Sequence, residues 1–129
     1  MKYRVILWVL MLVTGAPALA QQEIFNPMKE AIKANDAVAL VKSFAPSVDL
    51  NLEGNVNTYS KAQSEFVLKD FFKKHPVGTF SIVHTGASKG GLQFALGEYL
   101  SGNDKYTVLM RVRQVGTDYF VHEISFVKE

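Results

Sequence analysis

From Thr79 onward the chain alternates apolar and polar residues with a period of two, the signature of half-buried strands. Phe80, Ile82 and His84 share one face of the first. Leu92, Phe94, Leu96, Glu98 and Leu100 share one face of the second. Tyr106, Val108, Met110 and Val112 line the third, and Phe120, His122, Ile124 and Phe126 the fourth. Gly90-Gly91, Gly102-Asn103-Asp104 and Gly116-Thr117-Asp118 supply turns between them. Four consecutive strands joined by tight turns predict an antiparallel, twisted meander.

The preceding segment repeats mainly at helical spacing. Asn26-Pro27 is a helix-start signal, followed by Met28, Ala31 and Ile32 on one face. Asp36 is an N-cap for a second short helix carrying Val38, Leu40, Val41 and Phe44, which Pro46 stops. Val48, Leu50 and Leu52 alternate with Asp49 and Asn51 in a short strand, and Glu53-Gly54-Asn55 turns the chain. Ser60 and Gln63 form an S-x-x-Q capping box at the start of a longer helix. Its inward face is expected to hold Phe66, Val67, Phe71 and Phe72, and it ends near His75-Pro76. Lys73, Lys74 and His75 read as a solvated C-terminal cap, where cations suit the helix dipole.

The first twenty residues change the picture of charge and compartment. Lys2 and Arg4 precede an apolar run from Val5 to Val13 and the small-residue ending Ala18-Leu19-Ala20, the layout of a cleaved secretory leader. Residues 1–20 are therefore read as a signal peptide and 21–129 as one exported domain, periplasmic or secreted. The apolar run is far short of the roughly 20 residues that span a bilayer, so no membrane span is expected. Two of the fourteen basic residues fall in this leader while all twelve acidic ones follow it, which leaves the remainder formally neutral. That balance gives no footprint for nucleic acid. The absence of cysteine excludes a disulfide framework and thiol chemistry, so stability must come from the core.

Helices, a short strand, a longer helix and a four-strand meander form an order that resembles the NTF2-like (cystatin-like) superfamily. More narrowly, the chain resembles the DUF4783 family of small exported bacterial proteins. The likeness is carried by Ser43-Phe44-Ala45-Pro46-Ser47-Val48-Asp49-Leu50, Tyr59-Ser60-Lys61-Ala62-Gln63, Leu68-Lys69-Asp70-Phe71-Phe72 and His84-Thr85-Gly86-Ala87-Ser88. It implies an α+β cone in which N-terminal helices pack on a curved, mainly antiparallel sheet. None of these motifs is catalytic.

Some NTF2-like relatives are ketosteroid isomerases or polyketide cyclases, which place a carboxylate base and an acidic hydroxyl donor inside the cone. Three polar side chains share the strand faces assigned to the interior: His84, Glu98 and His122. They are the candidate acid/base set. Their spacing is no metal signature, and no metal or other cofactor is expected. The isomerase-like relatives carry an oxyanion-binding tyrosine on the first helix, where this chain has Met28, Ala31 and Ile32. The Gly86-to-Gly91 stretch lacks the full phosphate-loop pattern and joins strand to strand, so no helix N-terminus awaits an anion.

The reading is thus a non-enzymatic binding or interaction module. Phe80, Phe94, Tyr106, Met110, Phe120 and His122 are the expected lining for a small apolar ligand in the cone. The alternatives are an isomerase-like or cyclase-like enzyme and a structural homodimer with a filled cone. The opposite sheet face, read as Val83, Ala95, Tyr99, Leu109, Tyr119, Val121 and Val127 interrupted by Arg111, Arg113 and Glu123, is rich in residue types favoured at interfaces. It is the expected homodimer surface, with Arg111 or Arg113 answered by Glu123.

Overall fold

A computed structural model describes residues 23–88 and 90–129; the leader expected over residues 1–20 lies outside them. Helix α1 covers residues 23–33. The helix is already formed ahead of Asn26-Pro27, because Phe25 joins Met28 and Ile32 on a buried face at helical spacing. Helix α2 (Ala37–Val41) is capped by Asp36, whose side chain accepts from the Ala39 amide at 3.0 Å. Phe44 does not extend α2. It begins strand β1 (Phe44–Leu52), because the chain is captured there by the last strand: the Val121 amide donates to the Ser43 carbonyl at 2.7 Å.

Glu53 and Gly54, with φ of 54° and 94°, make the two-residue turn into strand β2 (Asn55–Ser60). This strand pairs antiparallel with β1 from Leu52↔Asn55 to Ser47↔Ser60. Helix α3 (Lys61–Lys74) starts on the expected capping box, with both reciprocal bonds at 3.1 Å. Its buried face is Ser64, Leu68, Phe71 and Phe72. Phe66 lies outside that stripe and is 70 % exposed.

Strands β3 (Thr79–Ser88), β4 (Leu92–Ser101), β5 (Asp104–Val115) and β6 (Asp118–Lys128) form the meander. The six-stranded open sheet has the order β2-β1-β6-β5-β4-β3, with β1 and β6 its one parallel pair. The helices and this mostly antiparallel sheet bury one core.

Three strand phases differ from the alternation read in the sequence; on β3 a register shift between Ile82 and His84 sets His84 opposite outward Leu96 instead of on the face of Phe80 and Ile82. On β4 the buried positions are Ala95, Gly97, Tyr99 and Ser101, so Leu92, Phe94, Leu96, Glu98 and Leu100 face away from the helices. Close packing is the reason: a β-carbon at Gly97 would lie 2.7 Å from the Phe80 ring and 2.9 Å from the Ser81 carbonyl, so no larger residue fits inward there. On β6, Arg111 pairs with Glu123 but Val112 pairs with Val121, leaving His122 as the extra residue of a bulge. Ile124 and Phe126 keep the inward phase, whereas Val121 replaces His122 in the core.

Phe71 lies at the centre of an aromatic layer. Its ring centroid is 4.7 Å from Phe126, 5.6 Å from Tyr106 and 6.1 Å from Tyr99. Tyr99 and Tyr106 meet edge to face at 5.8 Å, a favoured aromatic geometry. With Phe25, Met28, Ile32, Leu40, Leu68 and Met110 also buried, this stretch between helices and sheet is filled by the chain's own side chains.

Candidate functional site

The strand phases decide where the candidate residues go. His84 pairs with Leu96 on the outward side of a β3 bulge, its ring 5.8 Å from that of Phe94. Glu98 is outward too, 3.4 Å from the Lys105 ammonium. His122 sits in the β6 bulge, two strands from Glu98. Among the described residues the three share neither a hydrogen bond nor any of the cavities described below, and no three His, Cys, Asp or Glu groups are placed to hold a metal ion.

The six expected lining residues divide between two faces. Phe80, Tyr106 and Met110 are packed into the core. Phe94, Phe120 and His122 are half-buried on the outer side, with Phe120 opposite Arg113. The expected interface set divides likewise. Leu109, Arg111, Arg113, Glu123 and Val127 follow the outward phase, whereas Ala95, Tyr99 and Val121 are fully buried and Tyr119 packs on the core's edge. Arg111 and Glu123 pair across strands within the chain at 3.8 Å.

His122 marks a break in the sheet. β1 and β6 pair at Phe44↔Val121 and again from Asp49↔Glu123, so on the β6 side residues 45–48 of β1 are opposed only by the bulged His122, while Ser47 and Val48 keep their pairing with β2. Pro46, which has no amide to donate, is tolerated in this unpaired stretch. The separation leaves an open cleft of about 660 Å³ walled by Phe44, Ala45, Pro46, Val115 and Phe120, with Lys61, Arg113 and His122 among its polar lining residues. A smaller cavity of about 320 Å³ on the other side of His122 is lined by Phe94, Leu96, Leu109 and Arg111. His122 Nδ1 is buried without a hydrogen-bond partner. Burial, reinforced by Arg113, pushes its pKa below the usual histidine value.

A second polar group, absent from the expectations, gathers at the end of α3. Tyr106 Oη donates to Glu53 Oε1 at 2.6 Å and lies 3.3 Å from His75 Nδ1, while Tyr99 Oη donates to the His75 carbonyl. His75 Nε2 is 3.8 Å from the same Glu53 oxygen. Burial holds both phenols above the ordinary tyrosine pKa, and Glu53 adds to the effect at Tyr106. His75 is therefore anchored from two sides as well as capping a helix. The sequence signal was Tyr106, read as inward, whose hydroxyl requires a partner when buried; Tyr99 was read on the outer face, and its burial is a correction.

This architecture is that of NTF2-like folds. A crystal structure of an NTF2-like protein of unknown function from Shewanella baltica superposes with a TM-score of 0.67 at 13 % identity, covering 88 % of this chain and 94 % of that one. The chain belongs to the DUF4783 family, a domain of unknown function, which matches residues 25–127. The crystal structure of a DUF4783 protein from Bacteroides ovatus is 25 % identical with a TM-score of 0.78, covering 84 % of this chain and 97 % of that one. One from Bacteroides uniformis is 26 % identical with a TM-score of 0.75, covering 80 % and 94 %. No curated protein matches.

Proposed function

We propose that this DUF4783 protein is an exported, non-enzymatic interaction module that works as a homodimer through the outer face of β3 to β6. The observation that carries this reading is the orientation of β4. That strand gives Ala95, Gly97, Tyr99 and Ser101 to the core and turns Leu92, Phe94, Leu96 and Leu100 away from it. Apolar residues gathered on a face turned from the core mark an interaction surface. Leu109 lies opposite Leu96 on β5, and exposed Val127 extends the patch onto β6.

The aromatic layer behind the sheet favours this surface over a ligand held in the cone. The separation of His84, Glu98 and His122 likewise favours it over isomerase-like chemistry. Export rests on the leader pattern of residues 1–20, and it predicts a secreted or periplasmic chain whose N-terminal residue is Gln21.

Sedimentation of residues 21–129 at micromolar concentration tests the homodimer. The expected result is a dimer that becomes a monomer with an unchanged circular dichroism spectrum when Leu96→Lys and Leu109→Glu are combined. A monomeric parent chain would contradict the reading.

A further inference from the structure

We propose that the cleft where β1 separates from β6 binds a small amphipathic anion, a free monocarboxylate with an unbranched apolar tail. Three observations meet there. The first is the cleft itself, whose volume of about 660 Å³ falls within the roughly 300–1,000 Å³ range of small-molecule sites. Its long wall is apolar, built from Phe44, Pro46, Val115 and Phe120, and suits a hydrocarbon tail better than a sugar or nucleotide.

The second is uncompensated positive charge. Lys61 and Arg113 line the cleft, and among the described residues neither has an acidic partner within ion-pair distance. Arg111, by contrast, is answered by Glu123. A guanidinium fork and an ammonium beside an apolar wall complement one carboxylate on a tail, the guanidinium accepting it with two parallel hydrogen bonds. Among the described residues no acidic side chain lines this cleft.

The third is the unsatisfied Nδ1 of His122. Buried polar atoms are nearly always hydrogen-bonded, so a residue that lines the cleft carries an unmet polar capacity among the described residues. The break that makes the site is part of the fold, because four residues of β1 pass one bulged residue of β6. The site adjoins the Leu96 and Leu109 surface, because His122 lines both, but its polar head-binding pair, Lys61 and Arg113, is distinct from the Leu96 and Leu109 pair that tests the dimer.

Titration calorimetry of residues 21–129 with dodecanoate below its micelle concentration tests the proposal, with dodecanol as the uncharged probe of equal length. The expected result is saturable binding of one dodecanoate per chain, at least tenfold tighter than dodecanol. Combining Lys61→Gln with Arg113→Gln should weaken dodecanoate at least tenfold and leave dodecanol unchanged. Both side chains are exposed, so the variant should keep the parent's melting temperature; the remote Lys69→Gln serves as control. No saturable binding of dodecanoate, or equal binding to the parent and the doubly substituted chain, would overturn it.

Discussion

The phenol of Tyr106 donates a 2.6 Å hydrogen bond to the Glu53 carboxylate across 53 residues of sequence, tying the β1–β2 turn to β5. Hydrogen bonds to charged groups contribute about 1.5–3 kcal/mol when buried, and Glu53 is partly exposed, so Tyr106→Phe should cost about 1 kcal/mol. Urea unfolding of the parent and the variant measures this directly. An equal midpoint would show that water replaces the phenol at no cost.

Alkaline pH should weaken the fold through the same pair. Tyr99 and Tyr106 hold their protons above the ordinary tyrosine range in the folded chain, whereas the unfolded chain releases them near pH 10. Above that pH the folded state binds more protons than the unfolded state, so stability falls as pH rises. The decline should begin near pH 10 and be shallower in Tyr99→Phe, as read from denaturation midpoints between pH 8 and pH 11.

His122 acts at the other end of the scale. Burial and Arg113 depress its pKa, Arg111 acts in the same direction, and Glu123 and Asp49 oppose them. The folded chain therefore keeps the imidazole neutral while the unfolded chain protonates it below about pH 6.5. The stabilisation is present above that pH and is lost as pH falls toward the folded value. His122→Gln should flatten the dependence of stability between pH 7 and pH 5. A slope identical to the parent's would contradict the burial of this ring.

Gly97 separates packing from surface effects. A β-carbon there would meet the Phe80 ring at 2.7 Å and the Ser81 carbonyl at 2.9 Å, and the backbone atom cannot swing aside. Gly97→Ala should cost about 1–3 kcal/mol by overpacking. At Gly86 the added carbon would meet only the tip of Phe94, at 2.4 Å, a ring on the outer face. Gly86→Ala should cost less and instead disturb the outer surface. Thermal melts of the two variants give the comparison.

Local signals in the sequence were enough for much of this fold. The Ser60–Gln63 box and the Asp36 cap act within a few residues, and both form with the expected partners. The meander followed from turn glycines and period-two alternation. Strand phase did not, because β4 gives its smaller residues to a crowded core and because an extra residue at His122 reverses the alternation on β6. Strand β2 was missed because Asn55 to Ser60 is polar and almost wholly exposed, an edge strand paired only with β1. The Glu53, His75 and Tyr106 group depends on contacts 31 and 53 residues apart, which no local spacing can report.

The outer sheet face, and not the interior, is the proposed working surface of this protein. Methyl-labelled NMR of residues 21–129, followed on dilution from millimolar to sub-micromolar concentration, tests it most directly. The methyl resonances of Leu96 and Leu109 should shift as the dimer dissociates, while those of buried Met28 and Met110 stay in place. Movement of Met28 and Met110, or a spectrum that does not change on dilution, would contradict it.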